Sequence, residues 1–342
     1  MNTIFAKILY ELEKKHDLML VTIISEQGSS PRGTGAQMLA GTEGRILGTV
    51  GGGPTEKLCE DMAVKLISER RSEIHEFRLH KNGLKDIGAV CGGDVKVYFQ
   101  FIGGSSNCWS ETAKCVAACI SEKKAAWLVQ RTDGSDPSVL DGEGNSILGE
   151  SVTIPGLTAE GCVLKDGYFS MKLPIGDRCV IFGGGHCAAA LAPLLNTIGF
   201  RVTVMDCREE YAKKERFPFA EEVICGDYRH ISDYLTINEK DYLVIMTNGH
   251  SFDFDVEEQV LRIPTAYVGV IGSRSKTASV NQRLREAGVP EQGINSVHTP
   301  IGIAIKAVTP QEIAVSIAAE MILVRAAYRE ASGIETHGCP MH

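Results

Sequence analysis

The 342-residue sequence predicts an α/β protein, in which a mixed α/β domain with two degenerate helix-hairpin repeats precedes a doubly wound parallel sheet. Short strands and hairpin turns dominate before residues 174–178, and strands alternate with helix-length amphipathic segments after them. The first part also contains a weak match to itself. We therefore expect a first domain at 1–175, a second at 178–335 and a flexible tail at 336–342.

Composition and charge restrict the class of protein. With 44% hydrophobic residues, the chain is long enough to bury two cores. The net charge is -8 and no run of Lys or Arg exceeds a pair, which argues against nucleic acid and anionic membranes as partners. No window approaches the roughly 18 apolar residues of a membrane span, and the N-terminus is typical of an amphipathic helix, not of a signal peptide. We expect a cytoplasmic protein.

The 11 cysteines are scattered and odd in number. In a chain of this size such a pattern is typical of free thiols in a reducing compartment, and most free thiols are small buried core residues.

The self-match defines two copies, at about 1–104 and 105–175. Placing Leu20 on Leu128 and Ile46 on Ile147 shifts the offset from 108 to 101, so the second copy is seven residues shorter. This comparison assigns the missing residues to the GSSPRG part of the loop GSSPRGTG at 28–35. The loop is therefore interpreted as a ligand-binding loop on a rigid scaffold. The alternative is a longer turn that binds no ligand.

Two further glycine segments lie in the first domain. Gly51, Gly52 and Gly53 follow a predicted strand and precede a helix, so their N–H groups and the helix N-terminus favour an anion or a phosphate. The spacing is not that of a Walker A motif. Cys91 precedes a Gly pair, where a thiol of lowered pKa would serve as nucleophile, sulfur carrier or metal ligand. The alternative is a small residue in a tight turn.

A dinucleotide fingerprint opens the second domain. Gly183, Gly185 and Ala188 form the G-x-G-x-x-A pattern between a strand and a helix, and Asp206 ends the next strand at the spacing of a ribose-binding acid. The pattern predicts a Rossmann-like domain. Its ligand stays open, because such turns also bind other nucleotides and pterin phosphates.

The carboxyl ends of the later strands extend this predicted crevice. They place His186 and His250 at one cleft, with Asp253 beside them, and a structural role for each His is the alternative. Arg274 and Lys276 lie in the first turn of a predicted helix, which suits an anionic ligand.

Nine motifs in the same order resemble those of the xanthine dehydrogenase accessory family, XdhC/CoxI type. The resemblance runs from residue 18 to about 326, and Gly184 departs from the Ala that is usual there. The motifs are GSSPRGTGAQML, GTVGGGPTE, CGGDVKV, GGGH, RFPFAEEV, TNGHSFD, YVGVIGSRSK, HTPIG and TPQEIAVSIAAE.

The resemblance implies a maturation factor more than an enzyme. It would bind molybdenum cofactor, favour its sulfurated form and deliver it to an apo molybdenum hydroxylase such as xanthine dehydrogenase. The cofactor would be held by Ser29, Ser30, Arg32 and Glu56, together with the glycines 51–53. Cys91 would approach the metal. A cysteine desulfurase is a further candidate partner, and we expect a homodimer.

Two other functions stay open. The first is an NAD(P)-binding oxidoreductase that uses the Rossmann-like domain, and the second is a redox or nucleotide-sensing scaffold. The C-terminal residues His337, Cys339, Met341 and His342 form a candidate soft-metal tail, with a disordered terminus as the alternative.

Overall fold

The structure, a computed structural model, describes residues 4–27, 32–78, 94–272 and 274–331, and it describes residues 250 and 274–276 by their backbone only. The chain forms two compact units, the first reaching Ile175 and the second comprising Gly176–Ala331. Within the described ranges, no helix has the length and apolar character needed to cross a membrane.

The first unit begins with a helix and an antiparallel sheet of five described strands in the order β3-β2-β1-β5-β4. The central strand β1 begins with seven consecutive buried residues, and α2 begins at the glycine segment with Pro54 in its first turn. The elements are α1 Ile4–Glu13, β1 Leu18–Gln27, β2 Gln37–Gly41, β3 Gly44–Gly48, α2 Gly53–Glu69, β4 Glu73–Arg78 and β5 Asp94–Ile102.

A second helix and sheet repeat this arrangement, with the order β8-β7-β6-β10-β9. Each strand has the place of its counterpart, so the predicted repeat is confirmed, although no helix in residues 149–161 corresponds to α2. The elements are α3 Asn107–Ser121, β6 Ala126–Arg131, β7 Ser138–Asp141, β8 Ser146–Leu148, β9 Cys162–Lys165 and β10 Tyr168–Lys172.

The two repeats share one core. Phe5 and Ile8 of α1 and Trp109 and Val116 of α3 are buried in a single apolar cluster with strand residues of both sheets. The apolar faces of α1 and α3 are therefore buried together, with residues of both repeats.

The length difference between the repeats is divided between a strand and a loop. β1 continues for four residues past the point at which β6 ends at Arg131, and the following loop, 28–36, is three residues longer than 132–137. Assigning all seven residues to the loop was therefore wrong. Ile24, in the added part of β1, is 1% exposed and packs with Tyr98 and Phe169 of the two sheets. At least this part of the insertion has a packing role.

The second unit is a parallel five-stranded sheet in the order β13-β12-β11-β14-β15. Its strands are β11 Arg178–Phe182, β12 Arg201–Asp206, β13 Glu222–Cys225, β14 Tyr242–Ile245 and β15 Tyr267–Val270. The helices are α4 His186–Thr197, the 3₁₀ helix Tyr228–Asp233, α5 His250–Val260, α6 Arg274–Glu286, α7 Glu291–Asn295 and α8 Pro310–Ala331.

Helices cover both faces of this sheet. On one face α4 and α8 bury Leu191 and Ile317, and on the other α5 and α6 bury Val256 and Leu284. β14 and β15 are buried along their whole length because both faces of the sheet are covered. The predicted α/β fold class, with a doubly wound Rossmann-like second domain, is confirmed.

Candidate functional site

The turn between β11 and α4 has the geometry that the fingerprint predicts. Gly183 has φ 113°, and a Cβ there would lie 2.2 Å from the carbonyl oxygen of Met246, so glycine is required. Gly185 precedes α4 without a side-chain cap, and a Cβ there would meet nothing within 4 Å. His186 is the exposed first residue of the helix. The helix N-terminus is thus open to an anion.

Asp206 lies beside this turn and is fully buried. It accepts hydrogen bonds from the Gly184 N–H at 2.7 Å, the Arg208 N–H at 2.9 Å and the Arg208 guanidinium at 3.0 Å to each carboxylate oxygen. Burial works to raise the pKa of Asp206, but these bonds lower it overall. The carboxylate is therefore ionised and already bonded at both oxygens.

Two arginines that the motif analysis missed lie next to the turn. The Arg208 guanidinium stacks 3.6 Å from the centre of the Tyr211 ring, and the Arg216 guanidinium lies 4.9 Å from it. Arg216 also donates to the carbonyl oxygen of Gly184 at 3.3 Å. Arg208 is paired with Asp206, whereas Arg216 makes no ion pair with a described carboxylate. RFPFAEEV, which begins at Arg216, is the sequence signal that could have pointed to it.

The close approach of the Tyr211 segment also explains why residue 184 is glycine. A Cβ at Gly184 would lie 2.6 Å from the carbonyl oxygen of Tyr211. The departure from Ala at this position therefore allows the Tyr211 segment to approach the turn.

The other predicted strand-end residues lie where expected along the backbone. β11 and β14 are neighbours, so His186 and His250, which begin α4 and α5, follow adjacent parallel strands. Asp253 is 5% exposed and accepts hydrogen bonds from the Thr247 N–H at 3.1 Å and its hydroxyl at 2.6 Å. The backbones of Arg274 and Lys276 are in the first turn of α6, while their side chains and that of His250 lie outside the described residues.

The glycine segment of the first unit binds a carboxylate of its own chain. Gly51, Gly52 and Gly53 all have positive φ, at 138°, 74° and 61°. The N–H groups of Val50 and Gly52 donate to one oxygen of Glu56 at 3.2 and 3.1 Å, as does the hydroxyl of Thr49. Glu56 thus occupies the N–H groups of Val50 and Gly52, and binding of an external anion at this segment stays a prediction.

Two effects oppose each other at Glu56. Burial works to raise its pKa, while hydrogen bonds from Thr49, Gly52 and Val50 and the charge of Arg45, 3.5 Å from the second oxygen, lower it overall. Glu56 is therefore an ionised group whose hydrogen bonds stabilise the glycine turn at residues 49–52, in addition to being a predicted cofactor ligand.

The loop of the first unit is described from Arg32 onward. Arg32 is exposed, the Thr34 N–H donates to Glu26 at 3.1 Å, and a Cβ at Gly35 would meet the sulfur of Cys162 at 2.6 Å. The other loop candidates, Ser29 and Ser30, lie outside the described residues, as do Cys91 and the predicted tail ligands 337–342.

The described cysteines are free, and several are buried. Burial raises the pKa of Cys59 to about 12 and of Cys162 to about 11, which disfavours the thiolate form of both. In the ranges that the structure describes, no three His, Cys, Asp or Glu residues come together as a metal site. The candidate metal ligand Cys91 is outside those ranges.

Two family models match the chain. The XdhC Rossmann domain matches residues 179–321, and the XdhC and CoxI family matches residues 12–78. Together they cover more than half of the sequence, with one match in each unit.

Relatives align with nearly the whole chain. It is 25% identical to the uncharacterized protein YqeB of Escherichia coli (strain K12) over 92% of its residues, although it spans only 44% of that protein's length. It is 26% identical to a probable xanthine dehydrogenase subunit of Bacillus subtilis (strain 168), covering 92% of this chain and 95% of that one. It is 23% identical to the molybdenum cofactor insertion chaperone PaoD of E. coli (strain K12), covering 90% and 83%.

A solved structure extends the likeness to three dimensions. The crystal structure of a xanthine dehydrogenase from Bacillus halodurans superposes with a TM-score of 0.78 at 25% identity, covering 96% of this chain and 97% of that one. The likeness therefore includes both units of the chain. From the two family models and these full-length alignments, the chain belongs to the XdhC and CoxI family.

Proposed function

We propose that this protein binds molybdenum cofactor and promotes its sulfuration and its insertion into a molybdenum hydroxylase such as xanthine dehydrogenase. One observation carries the proposal: a relative named for molybdenum cofactor insertion and one named as part of a probable xanthine dehydrogenase each align with nine-tenths or more of the chain. Because the alignments include both units, the proposed role uses the whole chain. The partners are then an apo molybdenum hydroxylase and, for sulfur supply, a cysteine desulfurase.

The residues at the α4 N-terminus fit one end of this cofactor. Molybdopterin carries a terminal phosphate, and the open N-terminus after Gly185, with Arg208 and Arg216 nearby, provides N–H donors and positive charge for it. When bound, the cofactor contributes the molybdenum and its sulfur ligands as the cargo. The chain contributes binding and orientation.

The loop residues of the first unit are a second candidate site. Arg32 is exposed and suits a charge-assisted hydrogen bond to an anionic oxygen, with Ser29 and Ser30 as neighbouring donors. Cys91 is proposed as a thiolate that binds the metal or lies beside its terminal sulfur ligand, because molybdenum with sulfur ligands is a soft centre. The two candidate sites make different predictions for arginine variants.

The alternative function is an NAD(P)-binding oxidoreductase. It would use Asp206 to bind a ribose hydroxyl, yet both oxygens of that carboxylate already accept hydrogen bonds from Gly184 and Arg208. A ribose would have to compete with a bidentate guanidinium. This observation favours an anionic group at the turn over a ribose on Asp206.

The experiment measures cofactor affinity in single arginine variants. Arg216→Ala should weaken binding of molybdenum cofactor about tenfold to a hundredfold, because a hydrogen bond from a charged group contributes about 1.5–3 kcal/mol. It should also slow activation of apo-hydroxylase at limiting cofactor. Arg216 is preferred to Arg208, whose removal would leave the buried Asp206 without its counter-charge.

Two further variants complete this test. Arg262→Ala is the matched control, because Arg262 is a partly exposed arginine of the second unit that also donates to backbone carbonyls, at Ala287 and Gly288. It should bind cofactor normally. If Arg32→Ala weakens binding and Arg216→Ala does not, the cofactor phosphate belongs to the first unit. If the Arg216, Arg32 and Arg262 variants all bind cofactor as tightly as the parent does, neither Arg216 nor Arg32 contacts the cofactor phosphate.

A further inference from the structure

Helix α5 carries two buried carboxyl groups one turn apart. Asp253 is 5% exposed and Glu257 is 4% exposed, and their i, i+4 spacing places them on one face of the helix. Asp253 accepts hydrogen bonds from Thr247. Glu257 differs, because its carboxyl group makes no hydrogen bond or ion pair with any residue that the structure describes.

Glu257 lines a small cavity at the carboxyl end of β15. The cavity has room for about one water-sized particle, at about 20 Å³. Its described polar lining consists of oxygen-bearing groups, and no described Lys or Arg lines it. The polar residues that line it are Asp253, Glu257, Thr277, Thr299 and Asn281.

A buried carboxyl group without a partner is unfavourable unless it is neutralised. Glu257 is buried and lies one helical turn from the Asp253 carboxyl group, and no described residue compensates a charge on it. A cation in the cavity would provide that compensation and would be bound by both carboxyl groups.

We propose that Glu257, Asp253 and Asn281, with the hydroxyls of Thr277 and Thr299, form a binding site for one small divalent cation of the Mg²⁺ class. Oxygen-only donors are those that Mg²⁺ prefers, and neither sulfur nor imidazole from the described residues is present to select a softer metal. The single-particle size of the cavity agrees with an ion that is partly dehydrated. The proposal does not depend on the phosphate site proposed at α4.

The test titrates the full-length protein with MnCl₂ and follows free Mn²⁺ by electron paramagnetic resonance. We expect about one Mn²⁺ per chain, displaced by MgCl₂, since Mn²⁺ and Mg²⁺ share oxygen ligands. Glu257→Gln should abolish this binding, and Asn281→Ala should weaken it at least about tenfold. Glu258→Gln removes the same charge from the adjacent residue, which pairs with Arg262 on the surface, and should leave binding unchanged.

Melting temperatures of each variant with and without MgCl₂ provide the second readout. The parent should be stabilised by Mg²⁺ and Glu257→Gln should not be, although its carboxamide keeps the shape of the side chain. If Glu257→Gln fails to fold, Asn281→Ala decides. The proposal is overturned if the parent binds neither ion at millimolar concentration, or if the Glu257 and Asn281 variants bind Mn²⁺ as tightly as the parent.

Discussion

Glu56 occupies, with its own carboxylate, backbone N–H groups that the glycine pattern assigns to an external anion. The sequence indicates this group of N–H donors, because three successive glycines tolerate positive φ, but it does not indicate that a side chain four residues after Gly52 folds back onto it. The same limit applies to Arg208 and Arg216. Their approach to the Rossmann turn depends on the path of residues 207–217, which no local pattern determines.

The low pKa of Glu56 predicts a specific pH dependence. Its ordinary value is 4.5 and the folded value is lower, so its contribution to stability is present above pH 4.5 and is lost as the pH falls through the folded value. Glu56→Gln should therefore lower the free energy of unfolding at pH 7 by about 1–3 kcal/mol, the worth of a hydrogen bond to a charged group. The difference from the parent should shrink as the pH falls well below 4.5.

Urea unfolding followed by tryptophan fluorescence measures the free energy of unfolding of the first unit, which contains Glu56. The two tryptophans, Trp109 and Trp127, are both buried in the first unit. Glu43→Gln, at an exposed position of the neighbouring hairpin, is the matched control and should change little. An equal loss for Glu56→Gln at pH 7 and at low pH would contradict the assignment of an ionised, hydrogen-bonded carboxylate.

Among the elements, α8 has one face buried and another exposed. Ala314, Ile317 and Met321 pack into the core of the second unit, whereas Val315, Ile322 and Leu323 are 52%, 43% and 64% exposed. Exposed apolar residues aligned along one helix face are typical of protein interfaces. We therefore retain the homodimer as a prediction, with α8 as its contact.

Leu323→Glu tests this prediction without a large folding cost, because the side chain is mostly exposed. The parent should sediment as a dimer at micromolar concentration and the variant as a monomer, since a charge at the centre of an apolar contact opposes association. Leu164→Glu makes the same change at an exposed leucine of β9 and should remain dimeric. A monomeric parent, or a dimeric Leu323→Glu, would show that α8 is not the interface.

At the scale of the whole molecule, the sequence predicts most of the architecture. The alternation of strands with helix-length amphipathic segments predicts the parallel sheet of the second unit, and the self-match predicts the two sheets of the first. The division of the insertion between β1 and its loop was not predicted, because whether Ile24 is strand or loop depends on its contact with Phe169 of the other repeat. Long-range packing, which the local pattern does not contain, decided these features.

The central claim is that this chain binds molybdenum cofactor, and the most direct measurement is the identity of the small molecule released from the protein. The full-length protein, purified from cells that make the cofactor, is denatured and oxidised, and the released compounds are identified by mass spectrometry and fluorescence. We predict a molybdopterin derivative in an amount comparable to the protein, reduced in the arginine variant that weakens binding. Release of a nicotinamide dinucleotide instead, or of no pterin even after incubation with free cofactor, would contradict the account.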